Sequence, residues 1–177
     1  MSGSGGPDLL LRARGGDKAA FEDLLRPVIT PAARLAYGML QDRVAAEDVV
    51  QEAALKAWRR LGNVRPGADF RPWFLGIVVN ESRSTRRARW WSVLRLERIE
   101  RAAREHEDSS SRGVDLRRAL LRLSADQRAS VLLHFYLDMP LEDVAAALGI
   151  SVAGVKSRIN RGLKRMRPAL RSYEALV

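Results

Sequence analysis

Between Met139 and Arg167 the chain runs MPLEDVAAALGISVAGVKSRINRGLKRMR, and this stretch narrows the possible folds more than any other. Leu141, Val144, Ala145 and Leu148 recur at helical spacing, Gly149 interrupts, and a second series follows Ser151 at Val155, Ile159 and Met166. The spacing predicts a helix, a tight turn and a second helix. Gly149 suits the turn because glycine reaches positive φ without a steric penalty. Ser151 suits the start of the next helix because its oxygen can accept from unpaired backbone N–H groups. On a wheel of about 100° per residue, Val155, Ile159 and Met166 fall together with Leu163 beside them. The opposite face carries Ala153, Gly154, Ser157, Asn160, Arg161 and Lys164, flanked by Lys156, Arg158 and Arg165. Small residues at the start of a helix with basic and amide side chains around them suit a DNA major groove. There Ser, Asn and Arg reach base edges and Lys meets phosphate. A solvated helix on a helical core has the same pattern, so this face alone does not decide the function.

The 177 residues carry a net charge of +10 and a pI near 11.0, which favours a polyanionic partner, nucleic acid ahead of an anionic membrane. With 46% hydrophobic residues there is enough apolar material for one domain or two small ones. No apolar run approaches the roughly 18 to 20 residues of a membrane span, and MSGSGGPD at the N-terminus lacks the pattern of a signal peptide. A cytoplasmic protein without membrane insertion is expected. The absence of cysteine removes disulfides and thiolate metal sites, and His106 and His134 cannot supply a metal cluster by themselves. No metal or cofactor is expected.

Leu9 to Leu40 reads as helical, broken early by Gly15-Gly16-Asp17, with an apolar stripe at Phe21, Leu24, Leu25 and Val28 and with Pro27 and Pro31 expected to kink or divide it. Asp42 to Leu61 is a helix with Val50, Ala54, Ala57 and Leu61 on one side. Its far side mixes Asp48, Gln51 and Glu52 with Leu55, a composition that suits a protein contact. Beyond a Pro66-Gly67 loop, FRPWFLGIVVNESRSTRRARWW places Pro72 in a first helical turn, Trp73, Ile77, Asn80 and Ser84 roughly along a ridge, and Arg83, Arg86, Arg87 and Arg89 towards the end. Aromatic, amide and arginine side chains on one helix suit nucleic acid, through phosphates and unpaired bases; a core tryptophan and a basic helix end is the plainer reading. From Trp90 the composition turns charged and ends in EHEDSSSRG, which predicts a flexible linker. Asp115 to Leu123 and Ser124 to Tyr136 complete a compact second module, with Ser124 and Gln127 spaced for a capping box. The fold class is therefore all-α: two small helical domains, 8–91 and 114–172, held apart by a flexible linker over 92–113.

Four strings in this order, GDKAAFE from Gly16 to Glu22, AEDVVQE from Ala46 to Glu52 with Trp58 after it, FRPWFLGIVVN from Phe70 to Asn80, and the helix-turn-helix with VKSR from Val155 to Arg158, carry a resemblance. The chain resembles the extracytoplasmic-function sigma factors, the small two-domain branch of the bacterial primary sigma family, from Leu9 to Leu170. The resemblance implies a non-enzymatic RNA polymerase sigma factor, stress- or signal-responsive, whose partners are core RNA polymerase and promoter DNA, with room for an anti-sigma factor. It implies that Asp48, Gln51, Glu52 and Leu55 face the polymerase. It assigns Trp73, Asn80, Arg83, Arg86 and Arg87 to the minus-ten element and its melting. Lys156, Ser157, Arg158, Arg161 and Lys164 would serve the minus-thirty-five element. Ala53 and Ala54 stand where the family often has a larger apolar pair, and Ser84 where an aspartate is frequent. Gly154 takes a site often held by threonine, so groove contact falls to Ser157, Arg158 and Arg161. The alternative is a stand-alone helix-turn-helix regulator of duplex operators, which would not need the acidic helix or the Trp73 segment.

Overall fold

The structure, a computed structural model, describes residues 6–64, 68–96 and 111–174. It has helices α1 (Gly6–Arg14), α2 (Lys18–Leu40), α3 (Arg43–Arg60), α4 (Phe70–Leu96), α5 (Ser111–Leu121), α6 (Ala125–Val131), α7 (Leu141–Leu148) and α8 (Val152–Glu174), with no strand among the described residues. A short 3₁₀ turn, Leu61–Asn63, follows α3, and a π-helical turn, Leu132–Tyr136, continues α6.

The helix starts are set by local chemistry. Asp17 accepts from the Ala20 N–H at 3.1 Å, Asp42 from the Ala45 N–H at 2.9 Å, and Ser124 and Gln127 form the reciprocal capping box expected from their spacing. The Asp17 carboxyl is held below its usual range, first by the Ala20 N–H and then by Arg12. Pro27 and Pro31 do not divide α2, which runs unbroken from Lys18 to Leu40. Pro27 is exposed and Pro31 half-buried, so water can take over the carbonyls that the missing N–H groups leave unpaired. The last turn of α2 closes on Gln41, which adopts a left-handed conformation (φ 56°) and donates to the Tyr37 carbonyl at 2.7 Å.

Helices α1 to α4 bury the expected stripes, including Phe21, Leu24, Leu35, Met39, Val50 and Ala57. Phe21 packs on Trp58 (5.1 Å between ring centroids) and edge-on to Phe70, which in turn stacks on Phe74 at 5.7 Å. Each large apolar side chain buried in this way contributes roughly 1.5 to 3 kcal/mol. In the second module Val155, Ile159 and Met166 are buried, as the wheel predicts, and Gly149 has φ 64°.

The two modules are not held apart. Their buried residues join in a continuous core reaching from Leu10 to Ile159, with α4 against α7 and α2 against α6. Close approach is built on glycines: a Cβ on Gly76 would collide with the Ala147 carbonyl oxygen, and one on Gly38 would meet the Leu132 side chain. The α2 C-terminus supplies acceptors for the dock. Arg128 Nη1 donates to the Met39 carbonyl at 2.6 Å and Arg117 Nη2 to the Gln41 carbonyl at 2.9 Å, two arginines on the end of a helix whose carbonyls lack partners of their own. Arg71 returns the contact, donating to the Leu137 carbonyl at 3.1 Å. Helix α4 continues to Leu96 and α5 begins at Ser111, so helix intrudes on both ends of the 92–113 stretch; residues 97–110, with His106 and most of EHEDSSSRG, lie outside the described residues.

Candidate promoter and polymerase interface

Helix α3 has two unlike sides. Ala53 and Ala57 are fully buried, while Asp48 and Gln51 are exposed and Leu55 keeps 52% of its surface in solvent. Glu52, half-buried, lies 3.4 Å from Lys56 Nζ. Lys56 is held more firmly by Glu81 of α4, with Nζ 2.6 Å from Oε2, and its pKa is raised chiefly by that hydrogen bond. Lys56 therefore anchors the acidic edge of α3 to α4. Neither Lys56 nor Glu81 stood out in the sequence, where their 25-residue separation hides the contact.

The residues assigned to α4 do not form a single surface. Trp73 is half-buried and sits 5.8 Å from Phe70, at the edge of the aromatic cluster. Asn80 is exposed and its Oδ1 accepts from Arg83 Nη1 at 3.3 Å. Arg86 and Arg87 are exposed, and with Arg83 and Ala125 they line a cavity of about 340 Å³ where α4 meets α6. Arg83 itself is turned towards the second module: its Nη2 lies 2.7 Å from Asp126 Oδ1. Burial and the nearby Arg158 lower the Arg83 pKa, and Asp126 opposes them.

On α8 the Ser151 hydroxyl accepts from the Gly154 N–H at 3.1 Å, fixing the first turn. Lys156, Ser157, Asn160, Arg161 and Lys164 are all exposed, and Arg161 Nε donates to the Ser157 carbonyl at 3.2 Å. Arg158 is the exception. Its side chain is 24% exposed and Nη2 lies 3.4 Å from Asp126 Oδ2. Arg165 also bends back, donating to Gln127 at 3.2 Å. Together α4 and α8 present basic and amide groups suited to DNA, and α3 presents an acidic edge with an exposed leucine, suited to a protein. Among the described residues there is no group of His, Cys, Asp and Glu able to hold a metal, and no helix long and apolar enough to cross a membrane.

A model of sigma-70 region 2 matches residues 24–92, and one of sigma-70 region 4 matches residues 113–166. The ECF RNA polymerase sigma factor SigM of Mycobacterium tuberculosis is 32% identical over 160 residues, which span 90% of this chain and 81% of that relative. The chain belongs to the extracytoplasmic-function sigma factors. The RNA polymerase sigma-E factor of Streptomyces antibioticus is 28% identical over 169 residues, 90% of this chain and 89% of its own. Two solved structures share the fold. The sigma factor RpoE in complex with the anti-sigma factor NepR, from Bartonella quintana, matches with a TM-score of 0.69 and 28% identity, covering 85% of this chain and 96% of that one. CnrH in complex with the cytosolic domain of CnrY matches with a TM-score of 0.73 and 25% identity, covering 96% and 99%. This sigma factor thus has core RNA polymerase and promoter DNA as its partners. The fold class expected from periodicity, all-α with the helix-turn-helix in the second half, stands.

Proposed function

We propose that promoter recognition is divided between the two modules. Residues 8–91 bind core polymerase through Asp48, Gln51, Glu52 and Leu55 of α3, and engage and melt the minus-ten element through Asn80, Arg83, Arg86 and Arg87 of α4, with Trp73 at its base. Residues 114–172 read the minus-thirty-five element through Lys156, Ser157, Arg158, Arg161 and Lys164, and 92–113 connect the two. The observation that carries this reading is the split character of α3: one side closes the core, while the other keeps a leucine half in solvent beside Asp48 and Gln51. A leucine left exposed among acids costs nothing if a partner covers it. The sigma factor makes no bond itself; the polymerase does the chemistry, and both act in the cytoplasm. The relatives RpoE and CnrH were solved bound to an anti-sigma factor and to a cytosolic partner domain, which supports an anti-sigma factor as the regulator that passes an external signal to this chain.

Run-off transcription with core polymerase on a promoter library tests the activity and reports the promoter. Reversal of Asp48 and Glu52 to lysine tests the α3 assignment. The double variant should keep the helical circular dichroism and melting of the wild type but lose its ability to compete for core. Competition equal to wild type would remove α3 from the polymerase interface.

A further inference from the structure

Two arginines that the proposed function gives to different promoter elements end on the same carboxylate. Arg83 comes from α4, Arg158 from α8, and Asp126 from the first turn of α6 lies between them, 2.7 Å from one guanidinium and 3.4 Å from the other. We propose that this cluster is an intramolecular latch: Asp126 stands where a DNA phosphate would, closes the two modules on each other, and releases both arginines when a polyanion displaces it. The proposal rests on the DNA-binding roles assigned above.

Three features support it. The first is charge: two guanidiniums share one carboxylate, leaving a net positive cluster, and Arg86 and Arg87 line the cavity beside it. A phosphate entering there meets unsatisfied donors, since among the described residues Arg83 Nε has no hydrogen-bond partner and the Nη2 contact with Asp126 lacks hydrogen-bond geometry. Phosphate takes arginine in the bidentate mode, a stronger arrangement than the single contacts Asp126 makes. The second is access. The Asp126 side chain is 48% exposed, so the carboxylate can be displaced from the solvent side without first unfolding α6. The third is the dock itself. It combines apolar contacts between the modules with glycine clearance at Gly76 and arginine-to-carbonyl bonds at the end of α2, and each module also carries an apolar stripe of its own. The closed form leaves Asp48, Gln51 and Leu55 on the surface, so the latch withholds DNA contacts without covering the edge of α3.

The absence of cysteine allows a clean distance measurement on the whole chain, with fluorophores on Lys18→Cys and Arg122→Cys, two exposed positions in different modules. A mixed-sequence DNA duplex at low salt is the polyanion. In the wild type the duplex should lengthen the distance. Asp126→Asn should lengthen it without DNA and tighten duplex binding by about tenfold, the gain expected if about nine-tenths of the wild type is closed. Gly76→Leu, which changes no charge, should also lengthen the distance by wedging α4 from α7. Glu142→Gln, on the exposed start of α7, controls for simple loss of negative charge. The latch is overturned if Asp126→Asn leaves the distance unchanged, or if its gain in affinity is no larger than that of Glu142→Gln. Failure of wild type to support run-off transcription with core would sink the sigma assignment instead, and the distance arm on the protein alone reads the latch either way.

Discussion

At the scale of single residues, Arg128 holds the most together. It is 1% exposed and, among the described residues, has no carboxylate partner; its guanidinium donates to the carbonyls of Leu120 (2.8 Å), Leu121 (2.8 Å), Leu123 (3.3 Å) and Met39 (2.6 Å). A guanidinium has five donors in a planar fork, enough to serve four acceptors; an ammonium has three and no such reach. Removing it strands carbonyls at the end of α5 and at the end of α2 together. Arg128→Met should therefore lower unfolding stability by at least about 3 kcal/mol, read from the denaturant midpoint. The exposed Arg122→Met should stay within about 0.5 kcal/mol. Burial, and then the charge of Arg86, push the Arg128 pKa down to about 10. The sign matters. The folded state holds this proton less tightly than the unfolded chain, so stability can rise with pH only above about 10, and both states keep the charge below that. The difference between wild type and Arg128→Met should consequently be flat from about pH 5 to pH 9. A slope in that window would mean that a different group titrates at the junction.

At the scale of elements, what could be read in the sequence was what is local. Asp17, Asp42, Ser124 and Gly149 mark helix ends because capping and positive φ depend on a residue and its near neighbours. The prolines show the limit of a local rule: Pro27 and Pro31 were expected to kink or divide the segment, and the continuous burial of Leu24, Val28, Ala32 and Leu35 carries α2 through undivided. Proline in a helix interior still costs stability, so the exposed Pro27 is a place to recover some. Pro27→Ala restores an N–H to the turn and should stabilise the protein by about 1 to 2 kcal/mol, less than the full helix penalty because proline also restricts the unfolded chain. Thermal melting with unchanged core binding checks it. Docking of the two modules was not legible. Arg117 and Arg128 bond backbone carbonyls, which every residue carries, so nothing in the side-chain pattern announces them. Gly76 was a clue of a kind, a glycine inside an otherwise apolar helical run, but sequence alone does not say what approaches it.

For the whole molecule, the candidate site separates into parts that the sequence exposed to different degrees. The acidic edge of α3 and the outer face of α8 lie where periodicity put them, in solvent. Arg83 and Arg158 do not, because a third residue, Asp126, gathers these two side chains, 75 positions apart in the sequence, from α4 and α8. Trp73 also differs in kind from Asn80. Its ring belongs to the aromatic cluster, so Trp73→Ala should loosen the first module, whereas Asn80 is exposed and can be changed without disturbing packing. Asn80→Ala is therefore the clean probe of strand opening. If α4 acts on unpaired bases, its defect in run-off transcription should largely disappear on a template whose minus-ten region is already mismatched. On the proposed division Arg161 reads a groove that stays duplex, so Arg161→Ala should cost about 1 to 3 kcal/mol and keep that defect on the same template, with relaxed preference at one position of the minus-thirty-five element. Lys164→Ala should weaken all sequences alike and reduce the salt dependence by about one charge. Equal rescue of Asn80→Ala and Arg161→Ala by the mismatched template would show that the two helices do not divide the promoter between melting and duplex reading.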